Sequence, residues 1–115
     1  MRMLTIATLT IAMVSPVAAQ DAAMAAKSLG YALQAATVCD GLIVLSHTET
    51  GLERRYGRVL RGDKTALNEE FHSGALRFLS DVHDPGEAQA CALAFSRVGP
   101  DGVEYPGLLL DNPLD

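Results

Sequence analysis

Apolar side chains recur at spacings of three and four residues in four successive segments after residue 20, the pattern of amphipathic helices. The first segment, residues 21–39, is rich in alanine, the strongest helix former, and Asp21 is a suitable N-cap. Asp40-Gly41 is expected to end this helix, because glycine readily adopts the left-handed conformation of a helix C-terminus. The predicted buried face consists of small and apolar residues: Ala25, Leu29, Ala32, Leu33, Ala36 and Cys39.

The second segment is compatible with two structures. Residues 42–48 begin with the apolar run Leu-Ile-Val-Leu, which fits either a short buried strand or part of a helix, so both stay open. Thr50 and Glu53 match a capping box, in which each residue satisfies a backbone N–H of the first turn. This match favours a helix over residues 50–61.

The third segment is predicted to be a helix over residues 63–81, with Asp63 as its N-cap. Its apolar positions form one stripe with helical periodicity, which we expect to be buried. The stripe consists of Leu67, Phe71, Ala75, Phe78, Leu79 and Val82.

The fourth segment has the clearest helix start in the sequence, Asp84-Pro85-Gly86-Glu87. Here Asp84 is the predicted N-cap, Pro85 occupies the first helical position and Glu87 lies at the third. The turn sequence Gly99-Pro100-Asp101-Gly102 ends the helix. The predicted buried face consists of Ala88, Cys91, Ala94, Phe95 and Val98.

These elements predict an all-α domain over residues 20–102, a small four-helix bundle in which the first and last helices contact each other. Residues 103–115 contain Pro106 and Pro113, so they are predicted to form an extended tail and not a long helix. This tail either lies across the bundle as a strap or presents Leu108, Leu109 and Leu110 to a partner, because an exposed triple leucine is a typical interaction site.

The first 19 residues have the pattern of a cleaved signal peptide. Arg2 precedes an apolar stretch of twelve residues, and Val17-Ala18-Ala19 provides the small residues of a cleavage site. A membrane anchor is the alternative, but a spanning helix needs about 20 apolar residues. We therefore expect a periplasmic or secreted protein whose mature chain is not inserted in a membrane.

Cys39 and Cys91 are the only cysteines of the chain. Two cysteines in a small exported protein are expected to form a structural disulfide. A redox or zinc site is the alternative, but the chain has no Cys-x-x-Cys motif and no clustered histidines.

Length and charge limit the classes of function. A chain of 115 residues accommodates one small domain, and its formal charge of −5 argues against nucleic acid, whose binding proteins carry a basic surface. The strongest local charge is basic: Arg54, Arg58 and Arg61 share one helix face in the second segment, opposite Leu52 and Tyr56. This face is either a site for an acidic partner or a solvated surface partly paired with neighbouring glutamates.

We expect neither a cofactor, nor a metal site, nor enzymatic activity. His47, His72 and His83 are dispersed, and Glu69 with His72 is a single i, i+3 pair, whereas a metal site in a helical bundle needs matching pairs from other helices. The sequence contains neither a Gly-x-Ser-x-Gly motif nor a phosphate-binding P-loop.

The segments Val38-Cys39-Asp40 and Gln89-Ala90-Cys91 resemble the cysteine regions of small exported helical proteins of bacteria, which carry one long-range disulfide. The same two segments carry a more distant resemblance to the periplasmic acid-stress chaperones, which join an early cysteine to a late one, although the lysine-rich terminal segments of that family are lacking here. The stretch from Ala90 through Gly102 to Leu109 is similar to uncharacterised families of small exported proteins, which implies no particular activity.

The predicted function is that of an exported, non-enzymatic module that binds another exported protein, as an inhibitor or an accessory subunit. Two alternatives remain. The resemblance implies an acid-stress chaperone, in which acid would charge the histidines and neutralise the carboxylates until the acidic domain loosens. A bundle of helices could also carry a small apolar ligand between its helices.

Overall fold

The computed structural model of the protein describes residues 21–56 and 66–114, which are mostly helical, as predicted. Its elements are α1 (residues 21–38), β1 (Leu42–Ile43), α2 (Ser46–Tyr56), α3 (Ala66–His83), α4 (Glu87–Val98) and β2 (Leu110–Asp111). The predicted signal peptide, Asp63, Arg58 and Arg61 lie outside the described residues.

α1 ends where the sequence predicts. The Cys39 N–H donates to the Ala35 carbonyl oxygen at 2.7 Å, and Gly41 has a φ of 82°. This left-handed backbone is open to glycine at little steric cost, and it turns the chain out of the helix. Beyond the predicted face, α1 also buries Ala26, Ser28, Tyr31 and Ala35.

α2 begins earlier than the capping box predicts. The Leu45 carbonyl oxygen accepts hydrogen bonds from the N–H groups of Thr48 and Glu49, so the helix starts at Ser46. The Thr50 hydroxyl donates to the Ser46 carbonyl oxygen at 2.9 Å. Thr50 therefore lies inside the helix, and its prediction as the N-cap is wrong.

Two glycines allow α1 and α3 to cross with their backbones in contact. A Cβ atom at Gly30 would overlap the carbonyl oxygen of Phe71, and one at Gly74 would overlap the carbonyl oxygen of Lys27. Only glycine permits so close an approach at both positions. The crossing turns the buried face of α3 toward Gly74 and Phe78.

The predicted stripe of α3 is therefore partly wrong. Phe78 is fully buried, and Leu67, Phe71 and Val82 pack against the core. Leu79, which the sequence pattern places in the same stripe, is 41% exposed. A glycine does not count as apolar in the periodicity of the sequence, so it interrupts the predicted stripe. In the folded chain, however, Gly74 lies at the contact between α3 and α1.

α4 starts two residues later than predicted. The Asp84 N–H donates to the Ser80 carbonyl oxygen at 3.1 Å, so Asp84 ends α3 and is not the N-cap of α4. Gly86 occupies the N-cap position, and its carbonyl oxygen accepts from the Ala90 N–H at 2.8 Å. The predicted helical position of Pro85 is wrong for the same reason.

Along α4, Ala90, Ala94 and Val98 are buried, Cys91 and Phe95 are partly buried, and Ala88 is exposed.

The tail folds back onto the C-terminal end of α4. Backbone N–H groups of residues 103–105 and 107–109 donate to the carbonyl oxygens of Ser96, Arg97, Val98 and Gly99 at 2.7–3.2 Å. Carbonyls in the last turn of a helix have no partner within the helix, so the tail satisfies them. The tail then reaches β1, where Leu42 pairs with Asp111 in an antiparallel ladder. This ladder shows that residues 42–43 form a strand.

The predicted disulfide is confirmed. Cys39 and Cys91 are bonded, with Cα atoms 5.8 Å apart and 52 residues apart in sequence. The bond holds the C-terminal end of α1 against α4. The arrangement of all four helices as one bundle stays a prediction.

Candidate functional site

Five polar and aromatic side chains from three helices and the tail form a cluster that we call the tail clasp: Tyr31, Arg77, Asp81, Arg97 and Glu104. Arg77 donates two hydrogen bonds to the Glu104 carboxylate, at 2.7 and 2.9 Å. Arg97 donates to the Tyr31 hydroxyl at 3.1 Å and to Asp81 at 3.0 Å. The guanidinium carbons of Arg77 and Arg97 lie 5.1 and 5.8 Å from the centre of the Tyr31 ring. The clasp thus joins α1, α3 and α4 to the tail.

The electrostatics of the clasp follow from these contacts. Burial raises the pKa of the Tyr31 hydroxyl, and the hydrogen bond from Arg97 opposes that change. The hydrogen bonds from Arg77 lower the pKa of the Glu104 carboxyl, and they also raise the pKa of the Arg77 guanidinium. The Arg77–Glu104 pair is therefore ionised, and it holds the tail by charge-assisted hydrogen bonds.

A pocket of about 90 Å³ adjoins the clasp. Its lining consists of Met24, Lys27, Ser28, Tyr31, Arg77 and Glu104. Pockets for drug-sized ligands measure about 300–1,000 Å³, so this one has room for a few water molecules or a small ion. The pocket does not favour the predicted alternative of an apolar-ligand carrier.

An exposed apolar face lies on α3, opposite the contact with α1. Leu76 is 64% exposed and Leu79 is 41% exposed, one turn apart. His72 and His83 lie on the same side of the helix, one turn before Leu76 and one turn after Leu79, and both are exposed. We call these four residues the α3 face. The apolar periodicity of α3 places Leu79 in the core, so the sequence pattern did not predict this face. The spacing of 4, 3 and 4 residues between the four positions is nevertheless visible in the sequence.

The predicted arginine face is represented in the structure by Arg54, since Arg58 and Arg61 lie outside the described residues. Arg54 and its neighbour Arg55 are exposed on α2. The Arg55 guanidinium carbon lies 5.6 Å from the centre of the Tyr56 ring, within the range of a cation–π contact.

The tail leucines are held by the fold. Leu108 and Leu109 are buried in the core, and their N–H groups both donate to the Val98 carbonyl oxygen. Leu110 is partly buried and belongs to β2. Contact with a partner through Leu108 or Leu109 would require the tail to leave the core, so in this structure these residues form a strap.

His47, His72 and His83 all lie within the described residues 21–56 and 66–114. No group of three or more histidine, cysteine, aspartate or glutamate side chains in those ranges has the geometry to hold a metal ion. Glu69 and His72 remain a single pair, and both are exposed on α3.

Two further findings concern membrane-spanning helices and similarity to known proteins. No helix in the described part of the chain has the length and apolar character that crossing a lipid bilayer requires. No protein-family model, curated protein or solved structure matches the sequence or the fold.

Proposed function

We propose that this protein is an exported, non-enzymatic module that binds another exported protein through the α3 face. The observation that carries the proposal is the exposure of Leu76 and Leu79 on one side of a helix. Single exposed leucines are common on protein surfaces, whereas two adjacent ones form a small apolar patch that a partner can cover. Apolar patches bordered by polar residues are typical of interaction surfaces.

The α3 face rests on a rigid support. Gly74 brings α3 into backbone contact with α1, and Phe78 on the opposite side from Leu76 is fully buried. The Phe78 ring also meets the Tyr31 ring edge to face, with centroids 5.8 Å apart. A surface that is already ordered before binding loses less conformational entropy when it binds, which favours affinity.

The disulfide of the chain supports the proposed location, the periplasm or the outside of the cell. A disulfide between Cys39 and Cys91 is stable in the periplasm or outside the cell, where thiols are not kept reduced. The signal-peptide pattern over residues 1–19 leads to the same compartment. We further propose that the four helices form one bundle, of which the α3 face is the exposed side.

The test is capture of a partner from periplasmic extract of the source cell by the purified mature protein. The variant L76S/L79S removes the apolar side chains of the α3 face, and V103S removes a side chain that is 82% exposed in the tail. We expect the wild type and V103S to retain a stoichiometric protein and L76S/L79S to lose it. Equal retention by all three proteins contradicts the role of the α3 face.

The tail clasp favours a second candidate, the acid-stress chaperone. Protonation of Glu104 would weaken its two hydrogen bonds with Arg77 and loosen the attachment of the tail, which would favour exposure of Leu108 and Leu109 to an unfolded client. The test is the aggregation of an unrelated client in acid, with and without the protein. We expect E104Q to protect the client at less acidic pH than the wild type, whereas D101N, an exposed carboxylate in the turn after α4, should not change the pH dependence. An absence of protection by every form contradicts this candidate.

A further inference from the structure

We propose that the α3 face binds a second copy of this chain, so that two α3 helices pack antiparallel about a two-fold axis. The inference rests on the proposed function, because it names the partner of the same surface. Its basis is the order of the exposed residues: His72, Leu76, Leu79 and His83 read the same in both directions, in residue type and in spacing.

This order satisfies the geometric condition for a two-fold interface, in which residue i contacts residue j of the other copy and j contacts i. When two α3 helices lie antiparallel and centred between residues 77 and 78, Leu76 of each copy faces Leu79 of the other. The same register places His72 opposite His83 at both ends. Every exposed leucine of the α3 face then has an apolar neighbour, and no residue of the face is left opposite a charged group.

The charge distribution allows two acidic chains to meet at this surface. The whole chain has a formal charge of −5, so most approaches between two copies are repulsive. Between residues 72 and 83 of α3 the exposed positions hold no carboxylate, lysine or arginine. These positions are His72, Ser73, Leu76, Leu79, Ser80 and His83.

The size of the surface predicts a weak dimer. α3 has 18 residues, about 27 Å at 1.5 Å per residue, and helices of this kind pack with axes about 8–10 Å apart. One helix pair covers less than the 1,200–2,000 Å² of a typical stable interface. Association should therefore depend on concentration.

The first test is sedimentation equilibrium of the purified mature protein up to about 1 mM, a concentration at which even weak complexes form. We expect the average mass of the wild type and of V103S to rise toward that of a dimer, and that of L76S/L79S to stay monomeric. Circular dichroism checks that L76S/L79S keeps its helices. A wild type that stays monomeric, or a dimer that persists in L76S/L79S, overturns the inference.

The second test determines the register. Single-cysteine variants H72C and H83C are treated with a short bis-maleimide cross-linker, while the native cysteines are protected in their disulfide. In the antiparallel register, residue 72 of one copy faces residue 83 of the other. The two copies of residue 72 are then eleven positions apart, about 16 Å along the helix axis, and so are the two copies of residue 83. We expect cross-linked dimers when the two variants are mixed and few when either is treated alone. Efficient cross-linking of H72C with itself overturns the register.

The two proposals fail in different ways. A protein that is monomeric at every concentration, but that captures another exported protein through Leu76 and Leu79, overturns the dimer and leaves the proposed function standing. A monomer that captures nothing contradicts both.

Discussion

Glu104 is the residue that ties the tail to the helices. It accepts two hydrogen bonds from Arg77, and its carboxylate lies 3.5 Å from the Nε atom of Arg97. The sequence could not predict this contact, because Glu104 is 27 residues away from Arg77 and lies in a segment without periodicity. The sequence contains 14 acidic residues, and nothing in it marks Glu104 as different from the others. Glu104 differs only in the folded chain, where the tail returns onto α4.

Replacing Glu104 by glutamine should weaken the fold at neutral pH and should matter less in acid. The pKa of Glu104 is lowered in the folded state, so its contribution to stability is present above the unfolded-state pKa and is lost as the pH falls through the folded-state pKa. The pair is partly exposed, so we expect E104Q to lower the free energy of unfolding by about 0.5–1 kcal/mol at pH 7. Urea unfolding at pH 7 and in acid measures the difference, with D101N as the control. A deficit of E104Q that grows as the pH falls would contradict this assignment.

The sequence predicted those helices and strands whose ends are determined by residues nearby in the chain, and it did not predict those that depend on distant residues. The C-terminal end of α1 and the turn after α4 follow from nearby glycines, and both are as predicted. The strand at residues 42–43 depends on pairing with residues 110–111, far away in the sequence, so periodicity could not distinguish it from a helix. The start of α4 was misplaced because Asp84 belongs to the end of α3, where its N–H donates to the Ser80 carbonyl oxygen.

The crossing of α1 and α3 predicts opposite effects for two glycine-to-alanine substitutions in helices. G74A introduces a Cβ atom that overlaps backbone atoms of α1, and such overpacking typically costs about 1–3 kcal/mol. G51A in α2 meets no atom within 4 Å, so the higher helix propensity of alanine should raise stability by up to about 1 kcal/mol. Thermal unfolding of both variants measures these changes. Equal shifts of the same sign would contradict the close crossing.

At the scale of the whole molecule, the disulfide was predictable and the exposed surface was not. Two cysteines in a chain with a signal-peptide pattern allow only one intramolecular pairing, so Cys39–Cys91 followed from counting. Exposure depends on what packs against each side of a helix, and a glycine contact carries no hydrophobic signal. Leu79 was therefore assigned to the core, and the α3 face emerged only in the folded chain.

Breaking the disulfide should destabilise the domain strongly. The bond closes a loop of 52 residues, and the chain-entropy model assigns about 4 kcal/mol to a loop of that length. We expect the variant C39S/C91S to unfold at a much lower urea concentration than the oxidised wild type, and reduction of the wild type to have a similar effect. Intact mass should show the wild type lighter than its reduced form by two hydrogen atoms. An unchanged midpoint after reduction would contradict a stabilising role for the bond.

Site-specific photo-cross-linking determines whether the α3 face is covered by protein in the cell. A photoreactive phenylalanine derivative is placed at Leu76 in one form of the protein and at Leu114 in another, since Leu114 is 91% exposed near the end of the tail. We expect a discrete adduct from position 76 in living source cells and none of comparable yield from position 114. The mass of the adduct identifies a second copy or a different partner. An adduct from position 114 alone, or none from either position, would contradict a covered α3 face.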